Sequence, residues 1–178
     1  MSLKLLSKCL FVSLFIFLLS CKKSSPTDTN PDSYVKIKKN GTWKTYAKAY
    51  GDLGPDLINA AKTDFGVSAY TDDQTENFDL SVQVDGSMFG TGTYNSDNYT
   101  DYYFDVNFTT GLNSNQAHRF EIENGVNDEP CKYILHVTSI TPTYLTGTFT
   151  GNYLYDSFAS DSGIVRITEG EFKVKRLR

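Results

Sequence analysis

The sequence predicts an all-β chain, an antiparallel β-sandwich or barrel-like fold of about eight to ten strands. Three observations predict it: short runs alternate apolar and polar residues at a period of two, turn dipeptides such as Asn-Gly and Asp-Gly separate those runs, and no long stretch follows the helical period. Only Pro55 to Lys62 reads as a helical turn or two. A parallel sheet would need crossover helices that this pattern does not supply.

The first element is an address rather than a strand. Lys4 and Lys8, with no acid near them, precede an eleven-residue apolar run from Cys9 to Leu19. That run is too short to cross a bilayer, which takes about 20 apolar residues, and it has the shape of a signal peptide. Leu18-Leu19-Ser20-Cys21 resembles the bacterial lipoprotein lipobox: a small residue stands at the cut and the thiol of Cys21 accepts the lipid. The expected organisation is therefore a signal peptide over residues 1–20, a lipidated Cys21 with a disordered tether to residue 33, and a β domain over 34–178. Each buried acyl CH₂ stabilises membrane attachment by about 0.8 kcal/mol, so two or three chains anchor the protein permanently. From Lys22 to Ser33 the tether holds no apolar residue and two prolines, and as a flexible coil it spans roughly 20 Å.

The strands follow in order. Val35 and Ile37 begin the domain, and Asn40-Gly41 turns the chain into a second strand from Trp43 to Ala49. Phe65 to Tyr70 is the next. Phe78, Leu80, Val82 and Val84 then alternate with polar partners up to the Asp85-Gly86 turn. Phe89-Gly90-Thr91-Gly92 reads as a kink or bulge, because no helix follows to make it a phosphate loop. Tyr102, Phe104, Val106 and Phe108 share one face of the clearest strand, with Tyr103, Asp105, Asn107 and Thr109 on the other. His118 to Ile122, then Cys131, Tyr133, Leu135 and Val137, then Leu145 to Tyr155 continue the series across turns at Asn124-Gly125 and Thr141-Pro142. Ile164 to Ile167 and the Phe172/Val174 pair close it, separated by the turn dipeptide Glu169-Gly170.

Several of these features together resemble a broad group of small β-rich lipoproteins from Bacteroidota. They are Cys21 with its tether, Asn40-Gly41-Thr42-Trp43, Gly92-Thr93-Tyr94, the run Leu145 to Gly151 and the run Val165 to Val174. The resemblance implies a lipid-anchored β domain in a bacterial envelope, on the outer membrane, and brings no established activity with it.

Charge narrows the function classes. The whole chain carries 17 basic and 21 acidic residues; without Lys4 and Lys8, 15 bases stand against 21 acids, a net of −6. That balance opposes a nucleic-acid partner, which asks for a basic patch. Chemistry is sparse. His118 and His136 are eighteen apart with no short-spaced His or Cys pair, so neither metal nor cofactor is expected. Cys131 has no partner for a disulfide, and at five residues from His136 on one strand it faces the opposite side, which excludes a nucleophile–base pair. Carboxylate pairs such as Asp72-Asp73 and Asp128-Glu129 fall in loops, and Asn95, Asp97, Asn98 and Asp101 lack the spacing of a calcium loop.

What remains is aromatic surface. The segment Tyr94 to Tyr103 sets four tyrosines among Asn and Asp. Tyr94, Tyr99 and Tyr102 are the expected platform for a glycan or an envelope protein, with no catalytic residue assigned. The alternatives are a lipocalin-like carrier holding a small apolar ligand inside a closed barrel, and a hydrolase whose carboxylates converge from loops.

Overall fold

The computed structural model describes residues 32–86, 89–98, 100–114, 117–123, 132–156 and 163–178. They form twelve strands: β1 Tyr34–Lys39, β2 Thr42–Tyr46, β3 Lys48–Pro55, β4 Lys62–Tyr70, β5 Glu76–Asp85, β6 Gly92–Asn95, β7 Tyr102–Thr110, β8 His118–Glu123, β9 Ile134–Ile140, β10 Tyr144–Thr150, β11 Tyr153–Asp156 and β12 Ile164–Arg176. All pairings are antiparallel except a short parallel one, where Lys175 and Arg176 of β12 meet Tyr50 and Gly51 of β3. The signal segment, Cys21, most of the tether, Asn124-Gly125, Asp128-Glu129 and Cys131 lie outside the described residues.

Local chemistry explains most of the strand ends. Asn40 and Gly41 sit at φ 48° and 81°, the left-handed geometry of a two-residue hairpin turn, and Lys39 pairs with Thr42 across it. The single strand expected from Trp43 to Ala49 is instead two. Tyr46 ends β2 opposite Val35, and after Ala47 the chain crosses to pair Lys48 with Tyr70 of β4. Pro55 to Lys62 forms no helix. Leu57 and Ile58 are 87% and 98% exposed, so a helix there would bury no apolar face, and β3 runs on to Pro55. A loop follows, in which the Asp56 carboxylate accepts from Ile58 N at 2.7 Å and from Asn59 N, and Asp56 N donates to Lys62 O at 3.0 Å.

Glu169-Gly170 is no turn either. β12 runs unbroken through it for 13 residues, joining the two strands expected on either side. β10 and β11 hold one register against β12, from Tyr144↔Lys175 to Tyr155↔Ile164, bridged by Gly151 N to Thr168 O at 2.9 Å and Ile167 N to Asn152 O at 3.2 Å. Two reciprocal pairs explain why glycine stands there. Phe149 faces Gly170 and Phe172 faces Gly147, and a Cβ at either glycine would strike the opposing ring.

The pairing closes on itself, passing from β12 through β3, β4, β5, β7, β8 and β11 back to β12. One layer is β3-β4-β5-β7-β8. The other is β2-β1-β12-β10-β9-β6, and β12 with β11 joins the two. Between the layers, Phe78 of β5 stacks on Phe149 of β10 at 5.2 Å, and Phe65 of β4 meets Phe172 of β12 at 6.1 Å. Phe104 and Phe108 are likewise fully buried, and each such side chain contributes about 1.5–3 kcal/mol over its exposed state.

Candidate functional site

The strand alternation that buries Phe65, Val67 and Ala69 of β4 turns Asp64, Gly66, Ser68 and Tyr70 to the outer face of the five-stranded layer. On β3 the same alternation buries Gly51 and Leu53 and turns Tyr50 outward, 36% exposed. Because Lys48 pairs with Tyr70 and Tyr50 with Ser68, the two tyrosines are diagonal neighbours. Their rings stack at 6.2 Å and 21°, and their hydroxyls meet at 3.5 Å. That hydroxyl contact, and then burial, push the Tyr70 phenol up to about 12, so it stays a neutral donor at any physiological pH.

A depression of about 600 Å³ opens beside the pair, lined by Ala47, Lys48, Ala49, Tyr50, Tyr70 and Gln74. A second hollow of about 360 Å³ adjoins it, sharing Ala47 and Tyr70 and reaching Lys44 and Thr75. At the other end of the same outer face, Tyr103 is 41% exposed and borders a hollow of about 300 Å³ with Lys62, Gln83, Asp85 and Asp101. Between the ends lie Gly66, Ser68 and Ser81 together with Asp64, Asp79 and Gln83. Gly66 pairs with Ser81 and Ser68 with Asp79, and a Cβ built on Gly66 would meet nothing within 4 Å.

Polar side chains on this face hold one another in place. The Gln83 amide donates to Asp56 at 2.8 Å and Asp64 at 2.9 Å and accepts from Lys62 at 3.0 Å. Burial pushes the Asp79 carboxyl above its ordinary value, against hydrogen bonds from Ser68 and Asn77 and the charge of Arg119. Arg119 donates to Asn107 at 2.9 Å and pairs with Glu121 at 2.8 Å. Asp52 is clasped by Arg178 at 2.6 Å and 2.7 Å.

Beside the second hollow, Glu76 accepts from Lys39 at 2.8 Å, Lys44 at 2.7 Å and the Tyr46 hydroxyl at 2.8 Å. Burial alone would raise the Glu76 carboxyl, but these three donors outweigh it and hold it below the usual range. Burial, and then the bond to Glu76, raise the Tyr46 phenol. This clip ties the β1–β2 hairpin to the start of β5.

The tyrosines expected as a platform do other work. Tyr94 and Tyr102 stand together, edge to face at 5.5 Å. Tyr94 also stacks on Phe89 at 4.4 Å, and its hydroxyl donates to Gly90 O at 2.9 Å while accepting from Gly90 N at 3.1 Å. The Tyr102 hydroxyl donates to Asn95 O at 2.9 Å and accepts from Asn95 N. Both rings are partly buried against the core and fasten β6 to β7. Tyr99 lies outside the described residues. An aromatic in the polar register of its strand, as Tyr70 is after Phe65, Val67 and Ala69, was the sequence signal for the pair.

Among the described residues, no group of three or more His, Cys, Asp or Glu stands where it could hold a metal ion. His118 is exposed at the start of β8, and His136 Nδ1 lies 3.0 Å from the Thr93 hydroxyl on a different strand. Asp97 pairs with Lys132 at 3.1 Å and Asn98 donates to Asp101 at 2.8 Å. Comparison with family models, curated proteins and solved structures finds no match to the chain.

Proposed function

We propose that the chain is a lipid-anchored, non-enzymatic module of a bacterial cell envelope that binds a glycan through the Tyr50–Tyr70 depression. The stacked, outward-facing tyrosine pair carries this reading. Pyranose rings present C–H faces that pack on tyrosine, and two tyrosines already stacked lose little conformational freedom when a sugar lies across them. Lys48 and Gln74 at the rim supply hydrogen-bond donors for ring and hydroxyl oxygens, the small set of polar groups that orients a ligand in a shallow site. The lipobox at Cys21 supports the anchor and the envelope. A carrier of an apolar ligand is the weaker alternative, because aromatic rings in mutual contact occupy the space between the layers.

The test is a glycan array and affinity electrophoresis with soluble polysaccharides, using the full chain in detergent. Binding to at least one glycan, weakened tenfold or more in both Tyr50→Ala and Tyr70→Ala at unchanged thermal stability, is the expected outcome. Equal binding by both variants would move the site elsewhere, and capture of an envelope protein with no glycan bound would replace the ligand class.

A further inference from the structure

We infer that the glycan bound at Tyr50 and Tyr70 continues past Tyr70, and that the adjoining hollow along β2 is the subsite for its next sugar unit. The inference rests on the glycan reading above and adds a minimum ligand of two linked units and the groups that hold the second.

The free edge of β2 supplies the first of these groups. β2 pairs with β1 alone. Lys39 and Thr42 close the two-residue Asn40-Gly41 turn as a hydrogen-bonded pair, so alternation makes Ile37↔Lys44 and Val35↔Tyr46 hydrogen-bonded pairs too. Thr45 lies between them, and its N–H and C=O point away from β1 toward an edge that no other strand takes up. The hollow of about 360 Å³ is lined by Lys44, Thr45 and Tyr46 in succession. A strand face would offer alternate residues, so three consecutive ones mean that the hollow runs along the edge where those backbone groups lie.

The opposite wall is the turn between β4 and β5, and its internal bonds leave one group over. Thr71 Oγ1 accepts from Thr75 N and Glu76 N, each at 3.0 Å. Asp73 Oδ1 accepts from Thr75 N at 3.1 Å and from the Thr75 hydroxyl at 2.8 Å. Lys48, which lines the first depression, donates to Asp72 O at 2.6 Å and straps β3 to this turn. The exposed Asp72 carboxylate has no partner among the described residues. Lys44 and Tyr46 already serve Glu76, so the Thr45 backbone and the Asp72 carboxylate are the groups left to a ligand.

One N–H, one C=O and one carboxylate on opposite walls match neighbouring hydroxyls of a sugar ring, each of which can donate and accept. Ala47 and Tyr70 line both hollows, so a chain can pass from one to the other along a shared wall. The volume of the second hollow, at the lower end of small-molecule sites, suits a sugar unit rather than an added strand.

The experiment is isothermal titration of the full chain in detergent with the glycan that binds tightest on the array, and with its one-unit and two-unit fragments. The two-unit fragment is expected to bind at least tenfold tighter than the one-unit fragment. Asp72→Ala removes the free carboxylate, and Thr45→Pro removes the outward N–H at an edge position where proline is tolerated. Each should cut that gain to threefold or less, with the one-unit fragment bound as in the parent and thermal stability retained. Should Thr45→Pro melt early, Asp72→Ala alone decides. If the second unit brings no gain, or Asp72→Ala keeps the gain in full, the subsite is overturned while the Tyr50–Tyr70 site stands. A stable Thr45→Pro protein that keeps the gain would overturn the backbone contact. If no glycan binds, or Tyr50→Ala and Tyr70→Ala bind every fragment like the parent, the first reading falls and this one with it.

Discussion

Glu76 and Asp79, three residues apart on β5, respond to pH in opposite directions. Glu76 titrates below its ordinary value in the fold, so its contribution is complete above the unfolded value of about 4.3 and is lost as pH falls through the lowered one. Asp79 titrates above its ordinary value, so its burial costs stability at neutral pH and that cost is relieved as pH falls through the raised value. Glu76→Ala leaves the buried Tyr46 hydroxyl and two ammonium groups without their acceptor. Urea unfolding at pH 7 should show a loss of about 1–3 kcal/mol, shrinking below about pH 4 as the parent loses the same clip. Asp79→Asn should raise the melting temperature at pH 7 and have no effect once the parent carboxyl is protonated. A melting temperature unchanged at pH 7 would show that the outer face solvates Asp79 fully. Neither role was legible in sequence, where both residues are acids on a strand. The outward tyrosine pair is only half legible: tyrosines crowd together in sequence at Tyr94, Tyr99 and Tyr102, whereas the register of Tyr70 on its strand is what turns its ring outward.

Strand alternation and the Asn40-Gly41 hairpin could be read directly, because a period of two and a left-handed turn are properties of a few adjacent residues. The continuity of β12 could not. Glu169-Gly170 has the composition of a turn, and the reason it is strand lies 21 residues away in Phe149, whose ring needs a partner without a Cβ. The same holds for Gly147 beneath Phe172. Gly170→Ala should therefore cost about 1–3 kcal/mol by overpacking, although alanine ordinarily suits a strand no worse than glycine. Pairing it with Phe149→Leu should recover part of the loss in a double-mutant cycle, measured by urea unfolding. Additive losses would mean that the ring and the glycine do not act on each other.

For the whole molecule, the all-β class and the burial of alternate residues follow from pattern alone, while the closure of the sheet through β12 depends on pairings between distant segments that periodicity does not encode. The proposed anchor belongs to the scale of the whole chain as well. Expression in a lipoprotein-processing bacterium should yield a protein starting at Cys21 with the added mass of its acyl chains, and Cys21→Ser should lose that mass and leave the membrane fraction. Acylated Cys21→Ser protein would refute the lipobox. The joint between the layers also sets a timetable. Tyr34 pairs with Lys173 and Tyr50 with Lys175, so the strand that both layers need leaves the ribosome after the other eleven described strands. Until then the early hairpins have no common seam, and the long loop closures that join them are deferred to the end. A chain arranged this way joins its two layers only once β12 has paired with both.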